Sequence, residues 1–187
     1  MAVAARIGRR AWLAAGLALM LALGACSHLP PPARPDTPAR TWEGQMSVKL
    51  EAHAGLAADG TTFSFVLALS DADTGQLALM TPMGTQVAQV DWSAQGAQLH
   101  DGQGRRDYAD LDSLSLALMG EVLPLRALPH WLDGQPDPTL PATPLDAGFD
   151  QAGWRVDLSQ FDQARLRATR AATDVQRGIQ IRARLTR

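Results

Sequence analysis

A few stretches of this sequence hold residue types that do chemistry, and each can be checked against the spacing that chemistry needs. Asp71-x-Asp73-x-Gly75 opens like a calcium-binding loop. Such a loop ends on a bidentate acid at its twelfth position, which here is Pro82, so a solvated turn is expected instead. Gly102-x-Gly104-x-x-Asp107 lacks the third glycine of a dinucleotide-binding turn and has no βαβ pattern around it. No phosphate-binding glycine loop, H-E-x-x-H or G-x-S-x-G occurs. The histidines, at 28, 53, 100 and 130, fall singly in separate segments. The sequence thus offers no catalytic set, metal-ligand set or cofactor site, and no enzyme is expected.

The lone cysteine, Cys26, has a different setting. Arg6, Arg9 and Arg10 precede an uncharged Ala/Leu-rich run from Ala11 to Leu23. That run falls short of the roughly 20 apolar residues that span a bilayer. It fits the apolar region of a signal peptide over residues 1–25. Leu23-Gly24-Ala25-Cys26 resembles the bacterial lipobox, in which cleavage precedes the cysteine and lipid is attached to it. A diacylglycerol on sulfur and an acyl chain on nitrogen make three chains, more than the two membrane signals that stable anchoring requires. Ser27 follows, where an aspartate would resemble an inner-membrane retention signal, so the outer membrane is favoured. A lipidated Cys26 leaves no thiol for a disulfide or a nucleophile.

Residues 1–25 carry three arginines and no acid, so the remaining 162 residues hold 14 basic and 19 acidic side chains, a formal charge of −5. That balance argues against nucleic acid as a partner. Seven arginines do gather between Arg165 and Arg187, but they alternate with apolar residues and read mainly as one solvated strand face. A role in meeting lipid headgroups or an acidic partner is the alternative for them.

Two segments after residue 25 must position these groups. Residues 26–40 contain prolines at 30, 31, 32, 35 and 38, an extended tether reaching roughly 40 Å at about 3.1 Å per residue. Residues 41–187 form one domain by size. Within it, apolar residues alternate: Met46, Val48, Leu50; Phe63, Phe65, Leu67, Leu69; Leu77, Leu79; Val90, Trp92; Trp154, Val156, Leu158; Leu166, Ala168; Ile179, Ile181, Ala183, Leu185. Period two with one apolar face predicts antiparallel strands that cover something on one side. Turns are expected at Ala58-Asp59-Gly60, Asp73-Thr74-Gly75, Gln95-Gly96 and Asp101–Gly104. From Asp110 to Gly134 the spacing changes to helical. Leu111, Leu114 and Leu118 lie between an N-capping Asp110 and a stopping Gly120. A second short helix is expected to start at Pro124, carry Leu125, Leu128, Trp131 and Leu132, kink at Pro129 and end at Gly134. Two apolar-faced helices interrupting a sheet can lie across it as a lid.

One turn is unusual. Met80-Thr81-Pro82-Met83-Gly84-Thr85 joins strands expected at Gln76–Met80 and Gln86–Trp92, and puts a methionine where hairpin tips are usually polar. Either Met83 folds back on its own strands, or it is an apolar finger for something outside the protein.

Trp42-Glu43-Gly44, Leu77-Ala78-Leu79 running into Thr81-Pro82-Met83-Gly84, Gly120-x-x-Leu123-Pro124-Leu125, Leu128, Trp131-Leu132-x-Gly134 with Pro136, and Gly153-Trp154 together resemble the LolB family. These are outer-membrane receptors of the bacterial lipoprotein-localisation pathway. Many members have Leu at the position of Met83 and Trp at that of Phe65, exchanges that keep apolar bulk. The resemblance implies a mainly β fold with a helical lid: an unclosed antiparallel β-barrel enclosing a hydrophobic cavity, covered by short helices. It implies a lipid-anchored, monomeric protein on the periplasmic face of the outer membrane. Such a protein takes acyl chains of cargo lipoproteins from a LolA-type periplasmic carrier and releases them into outer-membrane phospholipid. It implies a membrane-delivery loop at Pro82, Met83 and Gly84. Candidate cavity and lid residues, from the apolar faces, are Phe63, Phe65, Leu67, Leu79, Leu114, Leu118, Leu128 and Trp131, of which about half are expected to be ordinary core. The alternative is a structural or assembly lipoprotein that uses the same shell to bind a protein.

Overall fold

The computed structural model describes residues 40–186. The expected signal peptide, Cys26 and the expected tether up to residue 39 lie outside them. The chain runs β1 (Arg40–Leu50), β2 (Asp59–Leu69), β3 (Gly75–Met80), β4 (Gln86–Ser93), β5 (Gly96–Asp101), β6 (Gly104–Tyr108), helix α1 (Leu111–Met119) and helix α2 (Leu128–Leu132). It continues with β7 (Ala142–Leu145), β8 (Gly148–Gln151), β9 (Trp154–Asp157), a 3-10 turn at Phe161–Gln163, β10 (Arg165–Arg170) and β11 (Ile179–Leu185). All strand pairs are antiparallel, in the order β6-β5-β4-β3-β2-β1-β11-β10-β9-β8-β7. The sheet is unclosed, because its edge strands β6 and β7 do not pair. The chain between those two edges is the helical segment. α1 packs on β5 and β6 at one edge, and Trp131 of α2 meets Phe149 of β8 and Trp154 of β9 at the other.

The alternating residues face inward as expected. Met46, Val48, Leu50, Phe65, Leu67, Leu77, Val90, Trp92, Trp154, Val156, Leu166, Ile179, Ile181 and Ala183 are all buried. The core runs from Trp42 to Ala183, so the domain from Arg40 onward has a complete core of its own.

Three local expectations are corrected. Ala58-Asp59-Gly60 is not a turn: Asp59 and Gly60 already pair with Leu50 and Lys49. The reversal occurs at Ala54-Gly55, both at positive φ, between bridged His53 and Leu56. Helix α2 starts at Leu128 rather than Pro124, which sits in the preceding turn and accepts from the Leu128 N–H at 2.9 Å. Pro129 therefore lies in the first turn, where its missing N–H has no partner to lose, and produces no kink. Arg40, assigned to the tether, already belongs to β1.

Candidate functional site

α1 is set by local signals. The Asp110 carboxylate accepts from the Ser113 N–H at 2.7 Å, and Ser113 Oγ accepts from the Asp110 N–H at 3.2 Å, a reciprocal cap. The Ser113 backbone bond is the main reason the Asp110 carboxyl is held below the usual carboxylate range. Gly120, at φ +70°, closes the helix by donating to the Leu116 carbonyl at 2.9 Å.

Beneath this roof is a cavity of about 90 Å³. Met46, Val48, Phe63, Leu77, Leu79, Val90 and Ile181 form its sheet wall, and Leu114, Ser115, Leu118, Met119, Leu123, Pro124, Leu125 and Leu128 its roof. Ser115 is the one polar residue, and its hydroxyl is committed: it donates to the Asp112 carbonyl at 3.0 Å and accepts from the Leu123 N–H at 3.1 Å. The cavity therefore presents only hydrocarbon and sulfur. It can hold an apolar group and has nothing with which to activate one.

Of the eight residues proposed from sequence, the structure brings Phe63, Leu79, Leu114, Leu118 and Leu128 together around this cavity. Phe65 and Leu67, each 1% exposed, pack into the solid core instead. Trp131 is fully buried and serves as a pin. Its indole N–H donates to Gln151 Oε1 at 2.9 Å, and that buried amide also bonds the Asp137 N–H and the carbonyls of Asp137 and Leu140. Met46, Val48, Leu77, Val90 and Ile181 were visible in the sequence as apolar strand positions, but nothing in their alternation placed them at the cavity.

The roof is fastened at its connection and at α2. Between the helices, Glu121 pairs with Arg170 at 2.5 Å and accepts from the Arg177 N–H at 3.1 Å. Arg126, also in the connection, meets Asp73 at 3.1 Å. After α2, Asp133 accepts from the Trp42 indole at 2.8 Å and pairs with Arg40.

The β3–β4 hairpin carries the other feature. Gly84 donates to the Thr81 carbonyl at 2.9 Å, and Thr81 and Thr85 close the loop beneath at 2.8 Å. Pro82 occupies the second turn position, which suits its fixed φ, and Gly84 takes φ +86°. Met83, at the tip, is 94% exposed. It is not folded back onto its strands.

The family model described as "Outer membrane lipoprotein LolB" matches residues 41–185. The sequence is 30% identical over 170 residues to the outer-membrane lipoprotein LolB of Bordetella petrii, covering 82% of this chain and 79% of that one. It is 28% identical over 162 residues to the protein of that name from Thiobacillus denitrificans, covering 80% and 83% of the two chains. It is 30% identical over 147 residues to that from Neisseria meningitidis serogroup A, covering 74% and 72%. An open antiparallel shell with an apolar interior, a helical roof and an exposed Pro-Met-Gly tip is therefore the form taken here by a member of the LolB family.

Proposed function

We propose that this protein receives the acyl chains of lipoproteins from a LolA-type periplasmic carrier and inserts them into the inner leaflet of the outer membrane. It does so while anchored there, facing the periplasm, through a lipidated Cys26 exposed by removal of residues 1–25. Residues 26–40 hold the domain off the bilayer.

The observation that carries this reading is the roofed cavity without a free polar group. Exposing acyl chains to water costs about 0.8 kcal/mol per methylene, so a lipoprotein needs a continuous apolar route. At about 90 Å³ the cavity is smaller than the roughly 150 Å³ void that takes up benzene. An acyl chain therefore enters only as the roof lifts, and the roof closes when the chain leaves. Met83, held out by the Pro82–Gly84 turn, is the element that meets the bilayer.

The test is uptake of an environment-sensitive apolar fluorophore by the domain from Arg40 onward, followed by addition of a triacylated lipoprotein loaded on its carrier. Displacement of the fluorophore and transfer of the lipoprotein are expected. A domain that binds neither is a protein-binding envelope subunit instead.

A further inference from the structure

The outward face of β10 and β11 carries an arrangement that chain stability alone disfavours. Arg165 is the direct cross-strand partner of Arg184, and Arg167 of Arg182. All four side chains are exposed, while the residues between them, Leu166 and Ala183, are buried. Like charges directly opposite one another destabilise a sheet. Among the described residues none of the four makes an ion pair or a side-chain hydrogen bond. The carboxylate in register with them is Asp157, opposite Arg167. It accepts from the Ser159 N–H at 2.9 Å, and that bonding together with the Arg167 charge holds its carboxyl below the usual range. Arg167 is thus partly balanced and the other three are not. A chain with an excess of acids has therefore gathered four guanidinium groups on one face, where Asp157 beside Arg167 is the one carboxylate among the lining residues. They line one shallow depression of about 300 Å³ together with Gln45, Ser47, Ser159, Gln160 and that single acid.

We propose that this array is a docking platform for the phosphate headgroups of an anionic phospholipid bilayer, an inference that rests on the membrane-delivery reading above. Guanidinium forks match phosphate oxygens in pairs, and each arginine near an anionic lipid surface contributes to binding. Position in the sheet selects a bilayer over an acidic protein. Arg165, Arg184, Gln45, Ser64 and Met80 are successive cross-strand partners, one row running from β10 to β3. The row spans four strand spacings, about 19 Å. Beyond Met80 the chain rises into the hairpin that exposes Met83. Cations at one end of a row and an apolar tip at the other is the division an interfacial anchor needs, with charge at the headgroups and hydrocarbon past them. The array thus holds the domain on the surface while the tip enters it.

The experiment is cosedimentation of the domain from Arg40 onward with vesicles of phosphatidylcholine, alone or mixed with phosphatidylglycerol, at low and high salt. Wild type should bind the mixed vesicles and release them as salt rises. The double variant Arg167→Gln/Arg182→Gln should lose roughly thirtyfold in affinity for them, at about fivefold per arginine. Its melting temperature should change little, because the Arg167–Arg182 repulsion and the exposed Arg167–Asp157 attraction are lost together. Its uptake of the apolar fluorophore should also be unchanged, which separates failure of the platform from failure of the receptor reading. Equal binding of wild type to both vesicle types, or undiminished binding by the double variant, overturns the proposal. So does a variant that keeps its vesicle affinity but loses affinity for the carrier, which would assign the array to a protein.

Discussion

Replacing Met83 by glutamate separates a turn from a finger. Met83 is 94% exposed, and the turn is closed by Thr81, Thr85 and Gly84 without its side chain. Surface changes of this kind alter folding stability by less than about 0.5 kcal/mol. For a domain of this size the melting temperature should then shift by no more than about 2 °C. Delivery is a different matter. Burying a methionine side chain in hydrocarbon is worth about 1.5–3 kcal/mol, which Met83→Glu forfeits entirely. At 1.4 kcal/mol per factor of ten, incorporation of lipoprotein into liposomes should fall roughly 10- to 150-fold. Transfer from the carrier should persist, because the cavity wall is untouched. Met83→Leu keeps the apolar volume and should deliver nearly as well as wild type. Melting and incorporation are measured on the same preparations. A folded Met83→Glu protein that delivers like wild type refutes the reasoning, as does one that melts many degrees lower.

Phe63 and Phe65 share a strand face but not an environment, so they form a paired test. Phe63→Glu, at the half-buried cavity wall, should fold and lose fluorophore uptake; Phe65→Glu puts a charge in the solid core and should fail to fold, judged by circular dichroism. Glu121→Gln keeps the shape of the contact but leaves the Arg170 guanidinium buried without a counter-charge. It should cost about 3–5 kcal/mol, a drop on the order of 10 °C in melting temperature by calorimetry. Cys26→Ala should leave an uncleaved, unlipidated precursor, while the domain from Arg40 onward still accepts cargo; a free thiol on Cys26 in the mature protein, read by mass spectrometry, would contradict the anchor.

The strands were legible where one face is buried, because there the register forces alternation: Met46 to Leu50 and Ile179 to Ala183 stand in full period-two order. α1 was legible for a local reason, since Asp110 and Gly120 mark its ends whatever it packs on. The outer strands left weaker traces. β7 is four exposed residues with Pro144 among them, which an edge strand tolerates and a sequence pattern does not declare. β5 and β6 showed only their turns, because Arg105, Arg106 and Asp107 interrupt the apolar signal. At the cavity the obstacle is different. Alternation tells which face a residue is on, not how far along the strand the roof lies, so Phe63 and Phe65 could not be separated. The arginine array needed the β10–β11 register, which seats Arg165 against Arg184. The sequence shows the alternation but not the pairing.

Which part of the roof lifts follows from how each helix is held. α2 is fixed by polar pins: Trp131 on Gln151 from within it, and Asp133 at its end on Trp42 and Arg40. The connection is fixed by Glu121 on Arg170. α1 has no such tie. Among the described residues, no side-chain hydrogen bond or ion pair runs from Leu111–Met119 to the sheet; its contact is apolar, through the buried Leu111 and Leu114, while Leu116 and Leu118 are more than 40% exposed. Two buried leucines are worth roughly 3–6 kcal/mol, so α1 should stand open in about one molecule in a hundred to one in ten thousand. On the proposed function, cargo would select that minority, and its apparent affinity would be reduced by the same fraction. Hydrogen exchange reads this directly. Amides of α1 should exchange at least tenfold faster than those of α2, and a bound lipoprotein should slow α1 or expose it further while leaving α2 unchanged. If α2 exchanges first, or the two helices exchange together, α1 is not the part of the roof that lifts.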